Sequence, residues 1–179
     1  MQRYLFLIVA VAFLVFILIF SISSIFMIKK PRSGFALIKT GYGGLKIYLD
    51  KLAVIFPFVQ SFEYVDITTK IIKVETNRTK FKDEKAVNIR VTFHIKLILT
   101  TYEIEKAINT YGVEKLNNPR FITQLFEPKL IEAIESVAIH LTYDKFISDS
   151  EHFKSQIFNF LGKEFNGFNI DDCIFELPK

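Results

Sequence analysis

From Tyr4 to Ile28 the chain runs for 25 residues without a charge, polar only at Tyr4, Ser21, Ser23 and Ser24. At about 1.5 Å per residue, a helix of that length exceeds a hydrocarbon core of about 30 Å. The run therefore predicts a transmembrane helix. A cleaved signal peptide also begins with a positive residue, here Arg3, and an apolar run. Its apolar core, however, covers about 7–15 residues and ends at a small-x-small site, whereas this run leaves through "FMIKKPR". The expectation is an uncleaved, single-pass membrane anchor over residues 1–32. The juxtamembrane cations Lys29, Lys30 and Arg32 outnumber Arg3 across the span, and by the positive-inside rule they place the rest of the chain in the cytoplasm.

The same run explains a composition that is 50% hydrophobic with a mean hydropathy of +0.28. A length of 179 residues predicts one further domain beside the anchor. The net charge of +4 admits two readings. It can reflect attraction to anionic lipid, to which a juxtamembrane Lys or Arg contributes about 1 kcal/mol near the surface, or a solvated basic face. Cys173 is the only cysteine, which excludes an internal disulfide framework and suits a reducing compartment.

Beyond the anchor, "TGYGGLKIYLD" places Gly41, Gly43 and Gly44 within four residues. A phosphate cradle needs such glycines at the start of a helix. Here Leu45, Ile47 and Leu49 instead alternate with Lys46, Tyr48 and Asp50, and "FALIK" precedes the glycines, so the pattern predicts two strands joined by a hairpin turn at Gly41–Gly44. Residues 33–100 read as mainly β: "FALIK", "LKIYL", "LAVIF" and "SFEYVDITTKIIKVET", then "AVNIRVTFHIKLIL". In the last strand Val87, Ile89, Val91, Phe93, Ile95, Leu97 and Leu99 share one face. Asn88, Arg90, Thr92, His94, Lys96 and Thr100 share the other, with Ile98 the exception. Arg90, His94 and Lys96 offer an anion-binding strip or, more simply, a solvated polar face. The segment "LAVIFPFV", Leu52 to Val59, suits either a buried strand edged by Pro57 or a loop dipping into the membrane interface through Val54, Ile55, Phe56, Pro57 and Phe58.

Residues 101–179 read as mainly α with a final strand. Thr100 with Glu103 forms a capping box, the stripe Ile104, Ala107, Ile108 and Tyr111 follows, and Gly112 stops the helix. Asn118-Pro119 opens a second helix, whose buried stripe runs from Phe121 to Leu141 with a kink or restart at Pro128. Ser148 with Glu151 predicts the start of a third, with the stripe Phe153, Ile157, Phe160, Leu161 and Phe165 and an end at Asn166-Gly167. "FNIDDCIFEL" is the last strand. The fold class is therefore α+β behind one N-terminal helix.

This ordered set resembles the SPFH (band 7) family, which includes stomatin, prohibitin and flotillin, and is most similar to its bacterial flotillin-like branch. The resemblance rests on "FALIKTGYGGLKIYLD", "IFPFVQSFEYVDITTKIIKVE", "FKDEKAVNIRVTFHIKL" with its Lys82-Asp83 opening, and "FEPKLIEAIESVAIHLTYDKFISDSEHF" with its Leu-Thr step. It implies that residues 33–179 form an SPFH domain with a mainly antiparallel sheet followed by amphipathic helices and a terminal strand. Two departures stand out. Lys51 and Leu52 replace the branch's glycines, and its usual His is missing around Val59-Gln60. The Ala/Glu-rich coiled coil that drives oligomerisation in the branch has no counterpart before Lys179.

The polar residues give no constellation for catalysis. His94, His140 and His152 are far apart, no HExxH or Gly-x-Ser-x-Gly occurs, and no metal spacing appears. Asp171-Asp172, and Asp149 with Glu151, suit caps and solvated turns. Asn77-Arg78-Thr79 fits a glycosylation acceptor, a coincidence in a cytoplasmic head. The expectation is a non-enzyme with no cofactor or metal and no nucleic-acid partner. By the resemblance it is a flotillin-type membrane scaffold meeting lipids and other SPFH-family chains, itself included, or alternatively a regulatory accessory subunit of a membrane-bound protease.

Overall fold

The structure, a computed structural model, describes residues 2–56, 58–162 and 167–176, and within the first helix the side chains of residues 4, 6–21 and 27. The chain divides into two units, Met1–Tyr64 and Val65–Lys179.

The first unit begins with α1 (Gln2–Met27), a helix of 26 residues whose described side chains from Phe6 to Ser21 are all exposed. Among the described residues no helix is long and apolar enough to cross a membrane. The unbroken run of described side chains in α1, residues 6–21, covers about 24 Å at ~1.5 Å per residue. Strand β1 (Ile28–Lys29) follows without a break and pairs antiparallel with β4 (Ala53–Val54) in the register Ile28↔Val54 and Lys29↔Ala53. A second sheet has the order β3-β2-β5, formed by β2 (Phe35–Gly41), β3 (Lys46–Tyr48) and β5 (Gln60–Asp66). The β2–β3 hairpin predicted from the alternating pattern is present, with Leu37↔Tyr48, Ile38↔Ile47 and Lys39↔Lys46 paired, and its turn closes where Gly44 N–H donates to the Gly41 carbonyl at 3.0 Å. Leu37, Ala53 and Ile55 form a small buried cluster, with Tyr48 and Tyr64 packed against it.

In the second unit β6 (Lys70–Lys80), β7 (Ala86–Leu97) and β8 (Phe168–Glu176) form an antiparallel sheet in that order. Alternation in β7 does what its period requires, burying Ile89, Val91, Phe93, Ile95 and Leu97. Leu99 departs from the expected face: the strand ends at Leu97, and Leu99 lies beyond it, exposed. The helices are α2 (Thr101–Tyr111), α3 (Val113–Leu116), α4 (Pro119–Ala138), α5 (Tyr143–Ser148) and α6 (Ser150–Leu161), and α4 packs on both β6 and α6. A register shift between Thr76 and Thr79 interrupts the β6–β7 ladder and puts Arg78 at φ 53°. There Thr79 and Thr76 are buried with their hydroxyls 2.6 Å apart, and the Asn88 side chain accepts from Arg78 N–H at 2.9 Å, so the bulge leaves its polar groups satisfied.

Helix boundaries follow the caps where the caps are local. Thr100 accepts from Glu103 N–H, Asn118 from Arg120 N–H, and Gly112 ends α2, each as the sequence predicts. Pro128 lies inside α4, which continues as one helix. Further on the structure differs. The stripe expected to reach Leu141 stops with α4 at Ala138, and a separate helix, α5, precedes α6. The cap of α6 is Asp149, whose carboxylate accepts from His152 N–H at 3.0 Å, instead of Ser148. An N-cap is the non-helical residue immediately before the first helical one, here Asp149 before Ser150, whereas Ser148 is still helical as the last residue of α5. Gly162 ends α6 at φ 77°, ahead of the expected Asn166-Gly167, of which Asn166, like Phe165, lies outside the described residues. Phe160, expected in the buried stripe, is exposed.

A contact from a distant turn holds α5. Lys82 N–H donates to the Leu141 carbonyl at 2.9 Å, Asp83 accepts from Tyr143 N–H at 3.4 Å, and Lys85 lies 3.2 Å from Asp144 and 5.1 Å from the Tyr143 ring centroid. The β6–β7 turn thus supplies the capping acceptor that Thr142 does not.

Candidate functional site

The period of two at Leu52–Phe56 sorts that segment into two sets. Ala53 and Ile55 enter the core, Ile55 being only 3% exposed, while Leu52, Val54 and Phe56 point outward. The turn after Phe56 presents Phe58, 98% exposed, and Val59. Of the residues proposed for a membrane interface, Val54, Phe56 and Phe58 therefore share an exposed apolar row. Ile55 belongs to the core, and Pro57 lies outside the described residues. The row sits at the end of α1: Ile55 N–H donates to the Met27 carbonyl at 2.8 Å, and β1 pairs with β4 directly after the helix.

A second loop joins this row. Tyr42, between the hairpin glycines and 81% exposed, donates its N–H to the Val59 carbonyl at 3.0 Å. Gln60 links both loops, its side chain accepting from Phe56 N–H at 3.1 Å and donating to the Tyr42 carbonyl at 2.8 Å. Gly41 makes the approach feasible: it has φ 105°, and a Cβ there would lie 2.4 Å from the Val59 carbonyl oxygen. Gly43 and Gly44 also have positive φ but no neighbour within 4 Å of a built Cβ, so they serve the turn alone. The roles of Tyr42 and Gln60 were missed in the sequence. The available signal was a single amide after eight apolar residues, and an aromatic at a turn tip.

Two of the three cations that follow α1, Lys29, Lys30 and Arg32, are held on aromatic faces. Lys29 Nζ lies 5.4 Å from the Phe62 centroid and the Arg32 guanidinium 5.3 Å from that of Tyr64, while Phe62 and Tyr64 meet edge to face at 5.8 Å. Each exposed contact of this kind is worth about 0.5–1 kcal/mol. Together they fasten the segment leaving α1 to β5. Lys30 remains exposed.

The second unit offers less. Arg90 is paired with Glu75 at 3.1 Å, and both line a shallow depression of about 310 Å³ with Lys73, Thr92 and Glu176. Glu75 and Glu176 make the Arg90 end of the strip Arg90–His94–Lys96 a mixed-charge surface. Asp172 pairs with Lys154, whose hydrogen bond holds the Asp172 carboxyl below the usual carboxylate range. Asp171 accepts from the Asn169 side chain at 3.2 Å. Among the described residues no group of three or more His, Cys, Asp or Glu gathers as a metal site.

Cys173 is buried on β8, and burial pushes its thiol up to about 12. A thiol held neutral and inaccessible reacts through opening of the structure, so maleimide labelling at pH 7.5 is expected to run at least about tenfold slower on the folded chain than in denaturant. Equal rates would show that β8 does not shield the sulfur.

A protein-family model described as "SPFH domain / Band 7 family" matches residues 29–174. No curated protein matches the chain.

Proposed function

The chain belongs to the SPFH domain / Band 7 family, and from that membership we propose that it is a non-catalytic, membrane-anchored scaffold of the flotillin type. Members of the family are membrane-associated scaffolds. In this reading α1 spans the bilayer as a single pass, the head stands in the cytoplasm, and copies of the chain associate laterally with one another or with relatives, organising the lipid and protein around them. The observation that carries it is the exposed apolar row Leu52, Val54, Phe56 and Phe58, tied to the last turn of α1 by the Ile55–Met27 hydrogen bond. Leu52, Val54 and Phe56 are about half to two-thirds exposed and Phe58 almost fully so; apolar surface left in water costs about 25 cal/mol per Å², and a bilayer interface at the helix end removes that cost.

Cross-linking in native membranes, followed by mild detergent extraction, tests the proposal. Self-adducts together with co-purified lipid are the expected result. A stoichiometric membrane protease in place of self-adducts would replace the scaffold with a regulatory subunit of that protease.

A further inference from the structure

Residues 29–64 carry Lys29, Lys30, Arg32, Lys39, Lys46 and Lys51 against Asp50 and Glu63, a formal charge of +4 that equals the net charge of all 179 residues. The remaining charges of the chain cancel. The positive charge is therefore segregated into the part of the first unit that also carries the exposed apolar row.

Three of these cations flank that row directly. Lys51 immediately precedes Leu52, and Lys29 stands opposite Ala53 in the β1–β4 register. Lys39 has a buried stem and donates from Nζ to the Val54 carbonyl at 3.1 Å, which brings its ammonium to the base of the loop, and Lys46 is its partner across the hairpin. Lys30, Arg32, Lys46 and Lys51 are exposed. Like charges collected on one small unit repel unless anions lie against them, and an exposed row such as Phe56 and Phe58 gains nothing from water. One partner answers both features: a lipid surface, with acyl chains for the aromatics and phosphates for the cations.

We propose that the first unit is a selective contact for anionic phospholipids, drawing them into the bilayer around the end of α1. The inference rests on the reading that the Phe56–Phe58 loop meets the bilayer, and it adds the lipid class. It makes the scaffold a device that enriches one kind of lipid in its surroundings.

The chain contains no tryptophan, so Phe58→Trp creates a single probe at an almost fully exposed position. The full chain carrying this change is reconstituted in vesicles of phosphatidylcholine and phosphatidylglycerol at about four to one, with either lipid brominated in turn. After correction for mole fraction, brominated phosphatidylglycerol is expected to quench Trp emission as if enriched about two- to fivefold near the probe. The enrichment should fall to parity at high salt and in the combined variant Lys30→Gln, Arg32→Gln, Lys46→Gln, Lys51→Gln. Quenching by both lipids in proportion to their mole fractions would overturn the anionic selectivity while leaving the loop at the interface. No quenching by either lipid would overturn the interface reading itself. Enrichment that survives the combined variant would overturn the assignment to these cations.

Discussion

Gly41→Ala is expected to lower the stability of the first unit by about 2–4 kcal/mol and to part the hairpin from the Phe56–Phe58 loop. Two costs add at this position. The backbone sits at φ 105°, where an L side chain is strained, and the added Cβ would meet the Val59 carbonyl oxygen at 2.4 Å and Gln60 Cα at 3.0 Å. Both neighbours are backbone, so no side chain can swing aside. The strand end must retreat, and the Tyr42–Val59 and Gln60–Tyr42 hydrogen bonds, 3.0 and 2.8 Å long, are lost with it. Gly43→Ala is the matched comparison: its φ is 94° but nothing lies within 4 Å, so only the conformational cost of about 1–2 kcal/mol applies. Urea denaturation of the full chain in detergent, followed by tyrosine emission, measures both variants. Equal midpoints would show that the close approach of the two loops contributes nothing.

Phe146→Ala should be the most damaging single change in the second unit, at about 3–5 kcal/mol. The ring is fully buried, and four aromatic rings surround it: Phe153 at 4.9 Å, Phe81 at 5.4 Å, Phe175 at 5.9 Å and Tyr143 at 6.3 Å. They come from α5, α6, β8 and the end of the β6 arm. Its removal therefore leaves a cavity whose walls cannot collapse together, because each is anchored in a different element. The neighbouring Ile147→Ala, at a half-exposed site, should cost less than about 1 kcal/mol. Circular dichroism against urea reads the difference, and a Phe146→Ala loss as small as that of Ile147→Ala would remove Phe146 from the centre of this core.

Periodicity was enough for the β2–β3 hairpin and for the buried face of β7 up to Leu97, and the capping residues Thr100 and Asn118 were enough for the starts of α2 and α4. Each is decided by residues within a few positions of one another. A strand with one dry face must alternate, and a cap must lie within three residues of the N–H groups it satisfies. The break between α4 and α5 was not legible in that way, since the groups that hold α5 in place, Lys82, Asp83 and Lys85, stand some sixty residues upstream. Phe146 hides for the same reason: α5 is too short to show a stripe, and the ring's partners come from remote segments.

The apolar segment Leu52–Val59 marks the division most sharply. Its composition permitted a buried strand or an interfacial loop, and the tertiary structure buries Ala53 and Ile55 while leaving Leu52, Val54, Phe56, Phe58 and Val59 exposed. Ile55 goes inward because its N–H is fixed on Met27 and its side chain completes the cluster with Leu37 and Ala53. Phe56 and Phe58 go outward because the turn that Gln60 ties to Tyr42 leaves their side chains no core to enter. Hydrophobicity is a property each residue carries in the sequence, whereas the side on which it is satisfied depends on which distant backbone groups claim the hydrogen bonds of its neighbours.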